Sequence, residues 1–574
     1  MIIRKKPARQ HGLHEPFRHE NHPRPITRRQ LMGAGFLSGP AFVLAPAWLG
    51  ALLKAQRADA LALDNDMAKI QPECKLQNPQ NGGGAVGTTG PVPFITIDLA
   101  GGANLMGSEA LAGMAGSPTN FISTAGYNKL GLPGAMVPTS STFIDMSLGL
   151  PFHSDSAILR GIKSKASAAA LLKVNGVVIP AISQNDSNMN PLNAMYLIAK
   201  AVSGLPQQNN MPVPYGQYVT LVGTNSTQSG GNSAAPAAYV DTKLQPTRIG
   251  SSADNTALVG SSAGAASQNT VSVLQSQARI SAGNNFVPLN TAPTSSSFNL
   301  GPPAAGVMSQ VGSQTLVHAV GLNGNPPTAQ DVATAAAQDL AVKEQVRCAY
   351  VKTAFTAATS QGPDSVNPDK DMTIIGAANS IFTAAEYTDK DVQKTAAVMK
   401  LVMNGYAGAG TIALGGYDYH SGNRADGETR NTHAGVIIGA IIAYADAVNT
   451  PVMINIISDG SLTSTGTADM TAAGRGKLGW QGDSQQVAAS LILVYSPKGR
   501  PAAAINQIGS LNADGTVNAT SSPGANAPNL VTQLVALNWM ALNGIDASFG
   551  NVFPMQGLGA AAAWTKLTAF TKIT

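Results

Sequence analysis

The sequence predicts an α/β protein with a mainly parallel central sheet, helices on both faces and a loop-rich polar insertion. Short β-branched runs alternate with helical patterns in much of the chain, an order typical of parallel strands joined by helices. Hydrophobic residues make up 44% of the 574 positions and charged residues only 12%, so the chain can bury a sizeable core and is not a disordered charged tail. The 60 glycines and 35 prolines indicate many turns and loops.

The predicted core falls into two halves, residues 93–204 and 329–574. In the first half we predict strands over 93–98 and 177–182 and a helix over 191–202. In the second half we predict helices over 329–359, 384–405, 431–448 and 530–542, and strands over 411–414, 451–457 and 489–495. Parallel sheets bind ligands beyond the carboxyl ends of their strands, so the residues that follow these strands are the first candidates for a site.

A polar segment, residues 205–328, separates the two halves of the core, and a Gly-rich linker, residues 61–92, precedes the first half. The polar segment is rich in Ser, Asn, Gln, Thr and Ala. Its residues 205–310 carry only five charged side chains, Asp241, Lys243, Arg248, Asp254 and Arg279. We predict mostly loops here, with short strands over 218–222 and 315–320.

Residues 1–60 resemble a twin-arginine export signal. The pair Arg28 and Arg29 precedes a moderately apolar stretch diluted by Gly and Pro, and small residues surround a cleavage position at Ala58 and Ala60. The resemblance implies export through the twin-arginine translocase to the periplasm or the cell exterior, with no stable membrane span after cleavage. The alternative is an uncleaved span, because the apolar stretch is just long enough to cross a bilayer.

The positive charge of the chain is concentrated in this leader, which argues against nucleic-acid binding. The formal net charge is +5, but residues 1–60 hold ten of the 36 basic and three of the 31 acidic residues, so the remainder has a charge of −2. Residues 61–574 therefore lack the basic face that phosphate-backbone binding requires. The two cysteines, Cys74 and Cys348, either form one disulfide in an oxidising compartment or remain free thiols.

Acidic residues and a histidine follow three of the predicted strands. Asp98 ends the first, Asp418 and His420 follow the strand 411–414, and Asp459 follows the strand 451–457. Carboxylates with one imidazole can hold a divalent cation, although an Asp at a strand end often only caps the next turn. The sequence therefore predicts a metal site at the edge where these strands end.

One motif in this region resembles a known family. Two segments carry the likeness: residues 394–405, and then Thr411-Ile412-Ala413-Leu414-Gly415-Gly416-Tyr417-Asp418-Tyr419-His420. They are similar to the helix and the following GGWDTH strand end of the bacterial twin-arginine-exported family called domain of unknown function 1501. The family's later SEFGR and TDHG segments correspond in order to residues 458–462 and 481–485, and its GGND turn corresponds to residues 101–104. The likeness covers about 450 residues by order of elements, and only the GGxDxH motif is specific.

That family is distantly similar to the alkaline phosphatase and sulfatase superfamily, which implies an alkaline phosphatase-like sandwich with a metal centre and a Ser or Thr nucleophile. If the superfamily's site residues are matched to this sequence position by position, the metal ligands would be Asp98, Asp418, His420 and Asp459. Ser187 would be the nucleophile, and Ser156 is an equally good local match. After residue 60 the chain has only four histidines, His153, His318, His420 and His433, whereas a dizinc site normally needs three imidazoles. Ca²⁺ or Mg²⁺ is therefore favoured over Zn²⁺, with no metal as the other alternative.

Two functions follow from these observations. The first is an exported metal-dependent hydrolase of phosphate or sulfate esters. The second is a non-catalytic envelope or secreted scaffold for surface assembly or secretion, with envelope proteins as partners and the polar segment 205–310 as its interaction surface.

Overall fold

The computed structural model describes residues 91–139, 142–183, 192–202, 221–223, 247–259, 363–420, 422–458 and 460–573. The leader, both cysteines, the predicted strand 315–320 and the predicted helix 329–359 lie outside these residues. The described strands are β1 Phe94–Leu99, β2 Ile144–Leu148, β3 Leu150–His153, β4 Val174–Pro180, β5 Leu221–Gly223, β6 Thr247–Arg248, β7 Ala409–Leu414, β8 Val452–Ser458, β9 Leu462–Ala468, β10 Leu478–Asp483 and β11 Ala489–Tyr495.

The described α-helices are α1 Thr124–Lys129, α2 Ala157–Lys165, α3 Ala168–Leu171, α4 Met195–Ala201, α5 Ser252–Val259, α6 Pro363–Val366, α7 Lys390–Met403, α8 Ala425–Ala447, α9 Pro528–Leu542, α10 Phe549–Val552 and α11 Ala561–Trp564. Helices α4, α7, α8 and α9 match predicted helices in position. Helix α8 begins six residues earlier than predicted, because the carboxylate of Asp469, far along the chain, accepts hydrogen bonds from the backbone N–H groups of Arg424 and Ala425 at 2.9 and 3.1 Å.

Within the described residues, the central sheet has seven strands in the order β4-β11-β8-β1-β7-β5-β6. Strand β1 pairs in parallel with β7 and β8, β7 pairs in parallel with β5, and β5 with β6. Only β11 runs the other way, antiparallel to both β8 and β4. The prediction of an α/β fold with a mainly parallel sheet is confirmed.

Helices cover both faces of this sheet. Alternate residues of β1 point to opposite faces, so Ile95, Ile97 and Leu99 enter one apolar cluster with α2, α7 and α8, whereas Phe94 enters another with α4 and α9. Both faces of the central strands are therefore buried, which explains why most of their residues are apolar.

Helices α2 and α8 cross at unusually short range because glycines lie at the crossing. A Cβ atom on Gly161 would overlap the backbone oxygen of Thr432, one on Gly435 would overlap the backbone oxygen of Ile158, and one on Gly439 would lie 2.6 Å from the oxygen of Ile162. This close packing sets the position of α8, whose first turns lie beside the candidate site.

We expect Gly435→Ala to lower the free energy of unfolding by about 2 kcal/mol or more, because overpacking outweighs the gain of about 1 kcal/mol in helix propensity. Chemical denaturation measures this change. Gly134→Ala is the control, since its Cβ would lie 3.7 Å from the nearest atom, Thr124 Cγ2, an ordinary contact. Equal stability of the two variants would contradict the tight crossing.

Candidate functional site

The carboxyl ends of β1, β7 and β8 are tied to one another by hydrogen bonds. The hydroxyl of Ser458 donates to the backbone oxygen of Leu99 and accepts from the N–H of Ala103, both at 2.7 Å. The N–H of Ala100 donates to the oxygen of Leu414 at 2.9 Å. The segments that follow these strands therefore begin side by side at one edge of the sheet.

The extended segment after β7, residues 415–420, alternates between the core and solvent. Tyr417 and Tyr419 are buried, whereas Asp418 and His420 are exposed. The hydroxyl of Tyr417 donates to the backbone oxygen of Arg430 at 3.0 Å, and the hydroxyl of Tyr419 donates to Asn431 Oδ1 at 3.0 Å. Because successive side chains of an extended chain point to opposite sides, the two anchored tyrosines present Asp418 and His420 outward.

Strands β9 and β10 form an antiparallel hairpin between β8 and β11, and this hairpin carries a third ligand to the same place. The Trp480 side chain in β10 is fully buried. The Trp480 backbone pairs with the segment that follows His420. The Gly422 N–H donates to the Trp480 oxygen at 2.7 Å, and the Trp480 N–H donates to the Asn423 oxygen at 3.2 Å. Strand β10 then ends at Asp483, which is exposed.

Asp418, His420 and Asp483 form a group whose ligand atoms lie within 4.8 Å of one another. His420 Nδ1 contacts Asp418 Oδ1 and lies 3.3 Å from Asp483 Oδ1. The side chains are 48%, 41% and 57% exposed, so the group faces solvent rather than a closed cavity. Two carboxylates and one imidazole at this spacing could hold a metal ion, which agrees with the predicted metal-binding chemistry in its coarse form.

A buried ionic cluster lies next to Trp480 of the hairpin, formed by Arg424, Glu428 and Lys477, which are at most 4% exposed. Glu428 Oε1 accepts from Arg424 Nε at 2.8 Å and from Lys477 Nζ at 2.9 Å. The Arg424 guanidinium also lies over the Trp480 ring, 4.4 Å from its centroid. Burial would raise the pKa of Glu428, but Arg424 and Lys477 outweigh burial and hold that pKa below its usual value.

A second acid, Glu109, is buried close to this cluster and is partnered by neutral groups. Its carboxylate accepts from Ser156 Oγ at 2.5 Å, from Ile158 N–H at 2.9 Å and from Asn431 Nδ2 at 2.9 Å. Burial raises the pKa of Glu109 above its usual value, against the opposing charge of Lys477. The Asn431 amide also accepts a hydrogen bond from the Tyr419 hydroxyl. This one amide therefore links the Glu109 carboxylate to the segment 415–420.

The hairpin is further held at its far end. Arg475 pairs with Asp155, Arg475 Nη2 lying 2.5 Å from Asp155 Oδ1, and Lys477 Nζ donates to the backbone oxygen of Asp155 at 2.5 Å. Asp469 caps α8, as described above. These contacts join the hairpin to the segment before α2 and to α8, so Asp483 extends from a fixed support and not from a free loop.

A second group with metal-ligand spacing, Asp389, Asp391 and His433, already has internal partners. Asp389 caps α7 by accepting from the Asp391 N–H at 2.7 Å. Asp391 lies 2.5 Å from Lys394 Nζ and 3.4 Å from His433 Nε2. Against the effect of burial, His433 and Lys394 lower the pKa of Asp391 to about 2. A lysine thus supplies the positive charge here, and we interpret the group as structural.

The other predicted site residues have different outcomes. Asp98 is buried within β1, on the face that carries Thr96, and is not in the Asp418 group. Asp459 and Ser187 lie outside the described residues. Ser156, the alternative nucleophile, is fully buried as the N-cap of α2, where its hydroxyl accepts from Leu159 N–H at 3.0 Å and donates to Glu109, which assigns it a structural role.

Asp483 is the ligand that sequence reasoning missed. It stands in residues 481–485, the segment similar to the TDHG motif, and no ligand was predicted there because Ser484 stands at the position of the motif's histidine. The signal available in the sequence was Asp483 itself, together with apolar residues at 478 and 480 and polar residues at 481 and 483.

Comparisons with protein-family models, with curated proteins and with solved structures find no match for this chain. Among the described residues, no helix has both the length and the apolar character needed to cross a membrane.

We expect Lys477→Met to lower the free energy of unfolding by about 3 kcal/mol, because it removes one partner of a buried ion pair. The control is Lys129→Met, since Lys129 and Asp514 form an exposed pair, 33% and 58% accessible, worth less than about 1 kcal/mol. Chemical denaturation of both variants checks the difference. A Lys477→Met protein as stable as the control would show that the cluster does not hold the hairpin.

Proposed function

We propose that this chain binds a divalent cation through Asp418, His420 and Asp483 and hydrolyses phosphate or sulfate esters there. The observation that carries the proposal is the meeting of these three side chains beyond the carboxyl edge of a parallel sheet, the usual place for ligands in such folds. Asp459, which follows the last residue of β8 in the sequence, is a proposed fourth ligand. Asp98 is left out, because its carboxylate is not in the group.

The donor set favours Ca²⁺ or Mg²⁺ over Zn²⁺. Two of the three donors are carboxylates, which suit hard cations, and a zinc centre would call for more imidazole or thiolate ligands. A bound cation of this kind would lower the pKa of a coordinated water or hydroxyl and neutralise charge on the ester oxygens. We propose an alkaline phosphatase-like arrangement on this basis, supported by the mainly parallel sheet and the strand-end ligands.

The proposed reaction adds one water across the ester bond. The bond between phosphorus or sulfur and the bridging oxygen breaks, the leaving oxygen takes a proton, and an alcohol and an inorganic phosphate or sulfate result. Ser187 is the proposed nucleophile from the family resemblance, with a water attacking directly as the other route. Ser156 is excluded from this role by its burial as a helix cap.

The exposure of the group supports a second candidate function. Catalytic centres generally exclude water, whereas the three ligand side chains here are 41–57% accessible. A cation at such a surface site would stabilise the hairpin and serve a non-catalytic envelope or secreted scaffold. The two functions share the cation site and differ in turnover.

We expect purified protein to bind Ca²⁺ or Mg²⁺ and the variants Asp418→Asn, His420→Gln and Asp483→Asn to weaken that binding about tenfold or more, since each loses a ligand. Calorimetric titration with each cation measures this. Asp546→Asn, an acid outside the group, is the control. A wild type that binds neither cation nor Zn²⁺ would refute the metal site.

The ester reaction is tested on the same proteins with aryl phosphates and aryl sulfates, with and without added cation. Cation-dependent turnover that is lost in the His420 variant supports the hydrolase. Cation binding without turnover of any ester would overturn the hydrolase and leave the scaffold.

We also propose that residues 1–60 direct export. We expect Arg28→Lys combined with Arg29→Lys to abolish appearance of the protein in the periplasm or medium, because the translocase recognises the arginine pair. Cell fractionation measures this, with Arg24→Lys as a control outside the pair and a translocase-deficient host as a second. Export of the double variant at the wild-type level would contradict a twin-arginine route.

A further inference from the structure

We propose that the buried acid Glu109 makes cation binding at the candidate site dependent on pH. The link runs through Asn431 and Tyr419 to the segment 415–420, which carries two of the three ligands. This inference names a regulation of the site and rests on the cation binding of the proposed function, whether or not an ester is turned over. It assigns a task to an acid that belongs neither to the ligand group nor to the buried ionic cluster.

A continuous chain of hydrogen bonds joins Glu109 to the segment that carries the ligands. Glu109 Oε1 accepts from Asn431 Nδ2 at 2.9 Å, and Asn431 Oδ1 accepts from the Tyr419 hydroxyl at 3.0 Å. Asn431 Nδ2 also donates to the backbone oxygen of Asn104 at 3.2 Å. The Tyr419 hydroxyl in turn accepts from the Asn104 N–H at 2.9 Å. The amide and the hydroxyl therefore have defined orientations, and Tyr419 lies between two of the ligands in the sequence.

A proton taken up by Glu109 would bind at Oε1, the atom that faces Asn431. Within the described part of the chain, Oε2 accepts two hydrogen bonds, from Ser156 Oγ at 2.5 Å and from the Ile158 N–H at 2.9 Å, whereas Oε1 accepts one. Each carboxylate oxygen has two lone pairs, so Oε1 offers the one that remains. Protonation there turns a charge-assisted hydrogen bond to Asn431 into a weaker, neutral one. The Asn431 amide, and with it the Tyr419 hydroxyl, is then held less firmly.

The surroundings of Glu109 favour uptake of this proton. Glu109 is fully buried, and burial raises its pKa above the usual value, against the opposing charge of Lys477. Burial lowers the pKa of His153 to about 4 and raises that of Tyr419, so neither ring changes its charge between about pH 5 and pH 8. The charged and titratable groups around Glu109 are Lys477 before β10, Glu428 and Arg424 at the start of α8, His153 in β3, Asp155 before α2, and Tyr419.

A bound cation and the proton of Glu109 oppose each other. The cation favours the ionised carboxylate, and the ionised carboxylate holds the segment 415–420 in the arrangement that presents its two ligands. Below the raised pKa of Glu109, cation binding must also release this proton, so the affinity for the cation is lower. The affinity rises as the pH rises through that pKa. By the reciprocity of linkage, cation binding at the lower pH releases a proton to solvent.

The experiment measures the affinity for Ca²⁺ and Mg²⁺ and the number of protons released, by calorimetry in buffers of different ionisation enthalpy, from about pH 5 to pH 8. The proteins are wild type, Glu109→Gln, Tyr419→Phe and the control Glu386→Gln, a glutamate paired with Lys165 and 37% exposed. Protonation of the ligands themselves weakens binding at low pH in every protein, so the result is the difference between proteins.

We expect the cation affinity of wild type to rise about tenfold more over this range than that of Glu109→Gln, with more protons released per cation at the lower pH. Tyr419→Phe keeps the Glu109 carboxyl but lacks the hydroxyl that connects it to the segment 415–420. It should therefore behave as Glu109→Gln does, whereas Glu386→Gln should behave as wild type.

The outcomes separate this inference from the proposed function. A wild type that binds no cation would overturn both. Cation binding with the same pH dependence in wild type and Glu109→Gln would overturn the role of Glu109 and leave the proposed function. A reduced pH dependence in Glu109→Gln but not in Tyr419→Phe would overturn the link through Asn431, since the charge would then act through space. If Glu109→Gln does not fold, equal pH dependence in wild type and Tyr419→Phe overturns the inference.

Discussion

The position of the candidate site depends on one buried interaction, the pairing of Glu428 in α8 with Lys477, the residue before β10, and with Arg424 at the start of α8. Burying three charges is costly, and the cost is offset only because their donors and acceptors meet at hydrogen-bonding distance. Apolar side chains could join the same elements with less desolvation. An ion pair, however, accepts few relative positions of its partners, so it sets where β10 lies against α8 and where Asp483 emerges.

The segment after β7 is likewise held by hydrogen bonds to α8. Tyr417 and Tyr419 carry their hydroxyls to Arg430 O and Asn431, both on α8, so the helix that holds the ionic cluster also holds the ligand segment. The segments that carry all three candidate ligands are thus hydrogen-bonded to a single helix, α8. That helix is itself located by its glycine crossing with α2, which makes the site a property of the packed core rather than of a surface loop.

Much of the sheet could be predicted from the sequence, and the reason is visible in β1, β8 and β11. Each is a short apolar run buried on both faces, a local signal that needs no knowledge of its neighbours. Asp418 and His420 were found in the same way, from their place after β7. Asp483 was not, because its approach depends on a hairpin whose register is set by distant contacts of Lys477 and Trp480. Asp98, predicted as a ligand at the end of the first strand, lies one residue before the end of β1 and is buried on the face that carries Thr96.

The reversed direction of β11 has a consequence for how this architecture can vary. A strand that enters the sheet from the carboxyl side lets the chain leave β8, build β9 and β10, and return without passing to the opposite edge. Residues 462–483 therefore form an excursion between two neighbouring strands, and the exposed positions of this hairpin can change their side chains while the ladder on either side and the buried contacts of Lys477 and Trp480 are preserved. Diversification of chemistry on this scaffold would be concentrated there.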